Sequence, residues 1–148
     1  MGEPRVRVFF YGSYMNPAVL REVGIVPDRF EVARLDGYDI RIEPRANLVP
    51  SRQRCVYGVL VEATHEELVR LYAHARDVLG ETYLPHPVLT QTNSGAWFPA
   101  LCYISPAMAS QPADPAYVER IVKAARDFSL PSWYLEHLES AARGNNDE

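Results

Sequence analysis

Cysteine is scarce, with Cys55 and Cys102 the two in 148 residues. No Cys-x-x-Cys or His-x-x-x-His spacing accompanies them, so no metal ligand set is expected. Both lie in apolar strand patterns, where a buried free thiol behaves as a small hydrophobe, and that reading is preferred to a catalytic thiol or a disulfide. There is no Gly-rich dinucleotide or P-loop signature, and hence no expected cofactor. Ser13 lacks the Gly-x-Ser-x-Gly context of a nucleophile elbow. Fifteen Lys and Arg against nineteen Asp and Glu give a formal charge of −4. The basic residues are scattered, which removes the electrostatic footprint of a nucleic-acid or anionic-lipid partner. No apolar run approaches the ~20 residues needed to span a bilayer. Met1-Gly2-Glu3-Pro4 leads into the first strand without a signal-like apolar region, so the expected compartment is the cytoplasm.

What the chain does have is apolar content, 47% of its residues, sufficient for the core of one domain over residues 1–148. Arg5 to Tyr11 reads as a first strand whose continuous apolar character implies burial on both faces. A short helix from Pro17 to about Val23 follows, with Asn16 as N-cap and Pro17 in the first helical position. Phe30 to Ile42 alternates as a strand does, interrupted at Asp36-Gly37 by a turn or bulge. Arg45 to Pro50 reads as a loop between prolines.

Cys55 to Val61 is the next expected strand. Thr64 and Glu67 then have the spacing of a capping box, opening a helix whose apolar face is Leu68, Leu71 and Tyr72. Two strands, Thr82 to Thr92 and Trp97 to Ile104, meet at the turn Thr92-Asn93-Ser94-Gly95. After a Pro-containing linker, Tyr117, Val118, Ile121, Val122, Ala125 and Phe128 recur at helical spacing, which predicts a helix packed on the sheet. Trp133, Leu135 and Leu138 support a second helix, so residues 114–141 form a helical extension on the domain. The polar tail 144–148 is expected to fray.

The stretch with most chemical content is Val6 to Pro17. A strand that ends at Tyr11-Gly12-Ser13-Tyr14 before a helix begins leaves backbone amides free to converge on an anion or a carbonyl oxygen. The positive end of a short helix dipole lies close by. The strand, its Tyr-Gly-Ser ending and the following Met15-Asn16 resemble the signature of the γ-glutamylcyclotransferase-like superfamily. Val56-Tyr57-Gly58-Val59, Thr64 to Leu71, Thr82-Tyr83, Ala100 to Ile104, Ala124 to Arg126 and Leu130 to Tyr134 agree with it in order and spacing.

The resemblance implies an α+β fold, a compact and largely antiparallel β-barrel with flanking helices, and an active cavity at the Tyr-Gly-Ser loop. It also implies cyclisation of a γ-glutamyl amine or amino acid to 5-oxoproline. In that reaction the substrate's own α-amine attacks the γ-carbonyl, so the protein supplies orientation, a proton carrier and oxyanion donors. Tyr11, Gly12, Ser13 and Tyr14 are then the expected binding loop.

The family's catalytic glutamate, in a pattern resembling Leu-Asp-x-x-Glu-Gly, falls on Ala75, which cannot transfer a proton. Glu81, two residues before Tyr83, is the expected replacement, with His74 and Asp77 as alternatives. Arg45 and Asn47 are candidates to pair with a substrate carboxylate, and Tyr83 and Tyr103 to supply phenolic donors. The vacancy at residue 75 also leaves open a catalytically silent member of the fold that binds a small carboxylate or serves as an interaction module.

Overall fold

The structure is a computed structural model and describes residues 4–142; the 144–148 tail lies outside them. Five strands close a barrel in the order β1-β3-β2-β4-β5. They are β1 (Arg5–Phe10), β2 (Glu31–Ile42), β3 (Ala46–Thr64), β4 (Leu84–Thr92) and β5 (Trp97–Ile104). β1 and β5 run parallel, with Val8 beside Leu101 and Phe9 beside Cys102; the other pairs are antiparallel. β1 therefore lies between β3 and β5, and its last residues, Val8, Phe9 and Phe10, are buried. That accounts for a strand that is apolar without alternation.

β3 corrects the sequence reading. Residues 46–50 are strand rather than loop, paired with β2 from Ile42↔Ala46 to Tyr38↔Pro50. Pro44 lies in the bend between β2 and β3, and Pro50 sits where the register shifts between Asp36 and Tyr38, a bulge of the kind that tolerates proline. Ala46 and Leu48 alternate inward and are buried. β2 runs unbroken through Asp36-Gly37 on the other side of that bulge. Cys102 is buried, Cys55 half-buried, and both are free thiols.

The helices are fixed by local chemistry. Asn16 Oδ1 accepts from Ala18 N at 2.9 Å, capping α1 (Pro17–Val23). Its Nδ2 donates to the Arg120 carbonyl at 3.0 Å, tying α1 to α3 (Pro115–Asp127). α2 (His65–His74) carries the capping box, with both the Thr64 and Glu67 side chains engaged. Beyond His74 the helix widens into a π turn over Ala75–Leu79 and ends at Gly80, which has φ 77°, a left-handed conformation suited to glycine. α4 (Ser132–Ala142) packs Tyr134 and Leu138 into the same core as Ile121 of α3 and the strand residues Val8, Ile40 and Val59. Among the described residues, no helix is long and apolar enough to cross a membrane.

Candidate functional site

Where β1 ends, its chain leaves the barrel and makes one turn of 3-10 helix over Ser13–Met15 before α1 begins. Tyr11, Gly12 and Ser13 are buried there. Among the described residues, the amides of Gly12, Ser13 and Tyr14 meet no protein acceptor, although Met15 N donates to Gly12 O at 3.0 Å. Buried amides are almost always paired, so this cluster has unused donor capacity.

The turn forms one wall of a cavity. Phe9 and Phe10 of β1, Leu71 and Tyr72 of α2, Ala75 and Leu79 of the π turn, Ala46, Tyr83, Tyr103 and Tyr117 complete the lining. The cavity volume is about 40 Å³, and with its solvent-open mouth and the margin along its walls the empty space is about 470 Å³. Such a shape admits a slim polar head group and leaves the rest of a ligand in the mouth.

Ala46 organises the polar walls. Its N–H donates to the Tyr117 hydroxyl at 2.8 Å, and its carbonyl accepts from Tyr83 at 2.7 Å. Tyr11 donates to the Tyr103 carbonyl at 2.6 Å. The Tyr103 hydroxyl is itself buried and makes no well-aligned hydrogen bond among the described residues, although Tyr72 lies beside it and opposes its ionisation. Burial pushes the Tyr11, Tyr14, Tyr83, Tyr103 and Tyr117 phenols well above their ordinary value, because a phenolate would lose its hydration. These hydroxyls are therefore neutral near pH 7, able to donate and unable to act alone as bases.

The other predicted site residues are distributed unevenly. Arg45 is half-buried; its Nε donates to the Leu79 carbonyl at 3.1 Å and its guanidinium lies 4.7 Å from the Tyr117 ring centroid. Its charge favours the ionised forms of Tyr14, Tyr83 and Tyr117, so it sits close behind the cavity. Asn47 is engaged elsewhere, its Nδ2 donating to the Ser105 carbonyl at 3.0 Å and its Oδ1 accepting from Ser105 N at 2.9 Å.

Glu81 does not line the cavity. Its backbone N–H reaches back to the Ala75 carbonyl at 3.1 Å, which holds it past the end of the π turn, and its carboxylate opposes ionisation of Tyr83 and Tyr117. Asp77 is exposed and paired with Arg76 at 3.0 Å. His74 touches the wall indirectly, its Nδ1 lying 2.9 Å from the Tyr14 hydroxyl.

Ala46, Tyr72 and Tyr117 are wall residues that the sequence reading did not assign to the site. Tyr117 has a legible signal in retrospect: a tyrosine within an apolar helical stripe carries a hydroxyl that needs a buried partner. Elsewhere, a depression of about 400 Å³ is lined by Arg5, Arg7 and Arg29. Each arginine there is already paired, with Asp28, Glu62 and Glu31 respectively, which leaves no free charge for a ligand.

Comparison with known proteins places this geometry. Residues 8–122 match the model of the family described as Gamma-glutamyl cyclotransferase, AIG2-like. A solved structure titled Gamma-glutamyl cyclotransferase superposes with a TM-score of 0.78 at 21% identity, covering 93% of this chain and 88% of that one. An uncharacterized Homo sapiens protein gives 0.78 at 24% over the same shares, 93% and 88%. The Bacillus subtilis protein YkqA gives 0.78 at 22%, covering 96% of this chain and 55% of its own. No curated protein matches the chain. The matched stretch runs from β1, through the Tyr11–Tyr14 turn and the whole barrel, into the helix that supplies Tyr117, and the chain belongs to the Gamma-glutamyl cyclotransferase, AIG2-like family.

Proposed function

We propose that this protein is a cyclotransferase that binds a small γ-glutamyl amine or amino acid in the tyrosine-lined cavity and releases 5-oxoproline and the amine. The observation that carries the reading is the set of unpaired Gly12, Ser13 and Tyr14 amides in the wall. Amides fixed in this way suit a substrate carboxylate or the oxyanion that develops at the γ-carbonyl, and cost no reorganisation when that charge appears. The Tyr103 hydroxyl, buried and without a well-aligned partner among the described residues, adds a neutral donor, and Arg45 adds a positive charge behind the wall. The narrow interior suits the glutamyl end, with the leaving amine in the wider mouth. The site of action in this reading is the cytoplasm, in keeping with two cysteines that remain free thiols.

A second reading has its own observation. Ala75, at the position where the family resemblance puts the catalytic glutamate, is buried and lines the cavity, so the wall holds no carboxylate. A silent relative that binds a small carboxylate in this cavity would look the same. Incubation with a panel of γ-glutamyl amino acids and γ-glutamyl amines, followed for 5-oxoproline release, separates the two. Turnover supports the enzyme. Saturable binding of 5-oxoproline or glutamate without turnover supports the binder.

A further inference from the structure

Cyclisation begins by removing a proton from the substrate's α-ammonium, and no wall residue of the cavity carries a carboxylate, an imidazole or an amine. Two wall hydroxyls are already committed: Tyr11 donates to a backbone carbonyl, and so does Tyr83. Tyr14 is different. Its ring lies in the wall, and its hydroxyl is 2.9 Å from Nδ1 of His74. His74 is half-buried, so it joins the cavity to the solvent side of α2. It also immediately precedes Ala75. Successive helical residues point about 100° apart, so while residue 75 faces the cavity, residue 74 meets the outer end of Tyr14.

We propose that Tyr14 and His74 form the proton-transfer pair of this cavity, Tyr14 meeting the substrate nitrogen and His74 storing the proton behind it. The proposal rests on the cyclotransferase reading and assigns its missing proton carrier. Tyr14 is the catalytic residue, and His74 is a positioning residue that acts through it.

The resting protonation states fit this role. Burial holds the His74 imidazole below its ordinary value, with Glu22 of α1 raising it and Arg120 of α3 lowering it. Those two charges are paired with each other, so their effects partly offset and burial decides the direction. A neutral imidazole with a free Nδ1 lone pair accepts from Tyr14, whose own burial keeps it protonated.

The α-ammonium gives a proton to Tyr14 Oη while the Tyr14 proton passes to His74 Nδ1, leaving an imidazolium and a neutral α-amine. The amine nitrogen bonds to the γ-carbon, and the carbonyl electron pair moves to oxygen. The stored proton returns through Tyr14 to the leaving nitrogen, the C–N amide bond breaks, and the carbonyl re-forms. The new ring nitrogen still carries one proton too many. It gives that proton to the pair, and the departing amine takes it up as ammonium. No oxidant or second substrate is needed.

The test is steady-state kinetics of 5-oxoproline release by wild type, Tyr14→Phe, His74→Gln and Glu81→Gln, with each variant first shown to be folded by circular dichroism. The pair predicts a fall in kcat of roughly 10²–10⁴-fold in Tyr14→Phe and His74→Gln, the scale of a lost general acid/base, with KM changed only a few-fold. In the wild type, kcat/KM should fall on the acidic side as His74 protonates. That limb should be absent from the residual activity of His74→Gln, and free imidazole should restore turnover in His74→Ala, which a merely structural role would not produce. An active wild type whose His74→Gln variant keeps both its kcat and its acidic limb overturns the pair while the cyclotransferase reading stands. So does loss of activity confined to Glu81→Gln. A wild type silent across the whole panel overturns both.

Discussion

Gly12 and Ala46 approach each other so closely that a Cβ placed on residue 12 would lie 2.6 Å from the Ala46 Cβ. The glycine of the Tyr-Gly-Ser turn is thus required by close approach, its φ of −112° lying outside the left-handed region. Ala46 is the residue whose backbone binds both Tyr83 and Tyr117, so a side chain at 12 would displace the centre of the polar wall. Gly12→Ala should lower stability by about 1–3 kcal/mol, as overpacking does, and weaken 5-oxoproline binding. Denaturant titration and calorimetry check the two effects, and a variant as stable as the wild type would refute the close contact.

Tyr117→Phe removes the hydroxyl that accepts from the Ala46 N–H. An unsatisfied buried donor costs about 1–3 kcal/mol. A drop of that size in unfolding free energy, at unchanged m-value, is expected from urea unfolding, with a loss of ligand affinity because α3 no longer fixes the wall.

Asn47→Ala should act on stability more than on ligand binding. Both polar ends of the side chain are engaged with Ser105, so truncation leaves a backbone donor and an acceptor without partners, at a cost of about 1–3 kcal/mol for a buried group. Affinity for a carboxylate ligand measured on the folded variant should stay within a few-fold of wild type. A selective loss of affinity at unchanged stability would return Asn47 to the binding site.

Cys102 is fully buried, and burial pushes its thiol up to about 12. Because the thiolate is the reactive form, alkylation by iodoacetamide at pH 8 should be slow in the native protein and fast in denaturant. Mass spectrometry of digests locates the label, and native labelling of Cys102 at the rate of the unfolded chain would contradict this packing.

Stability should fall steeply on the alkaline side. Tyr11, Tyr14, Tyr83, Tyr103, Tyr117 and Tyr134 all have folded-state values raised above 10, chiefly by burial. The folded state holds these protons more tightly than the unfolded chain. Their contribution is therefore full below pH 10 and is lost as pH rises beyond it, where unfolding releases phenol protons. Absorbance of phenolate near 295 nm and far-ultraviolet circular dichroism should change together. Ionisation of all tyrosines with the fold intact would oppose the assignment.

Much of the local structure was legible because it is locally caused. The Asn16 cap with Pro17, the Thr64–Glu67 capping box and the β5 boundaries at Trp97 and Ile104 depend on neighbouring residues and short-range periodicity. So did the Tyr11–Tyr14 turn, since a strand that stops before a helix starts must leave amides behind. Residues 46–50 read as a loop from their flanking prolines, yet pairing with β2 outweighs that local signal when the ladder contains a bulge.

The composition of the cavity wall was decided by tertiary structure alone. Ala46, Tyr83 and Tyr117 are distant in sequence and meet because the barrel closes and α3 folds back over its end, so no spacing pattern announces their hydrogen bonds. The positions of Glu81, Ala75 and His74 depend on helical phase and on the π turn. A widened turn swings the chain between Ala75 and Gly80, holding Glu81 outside the wall while Ala75 faces in and His74 reaches Tyr14. Short-range chemistry along the chain sets which elements form and which turn has free amides; the long-range closure of barrel and helices sets which side chains face them.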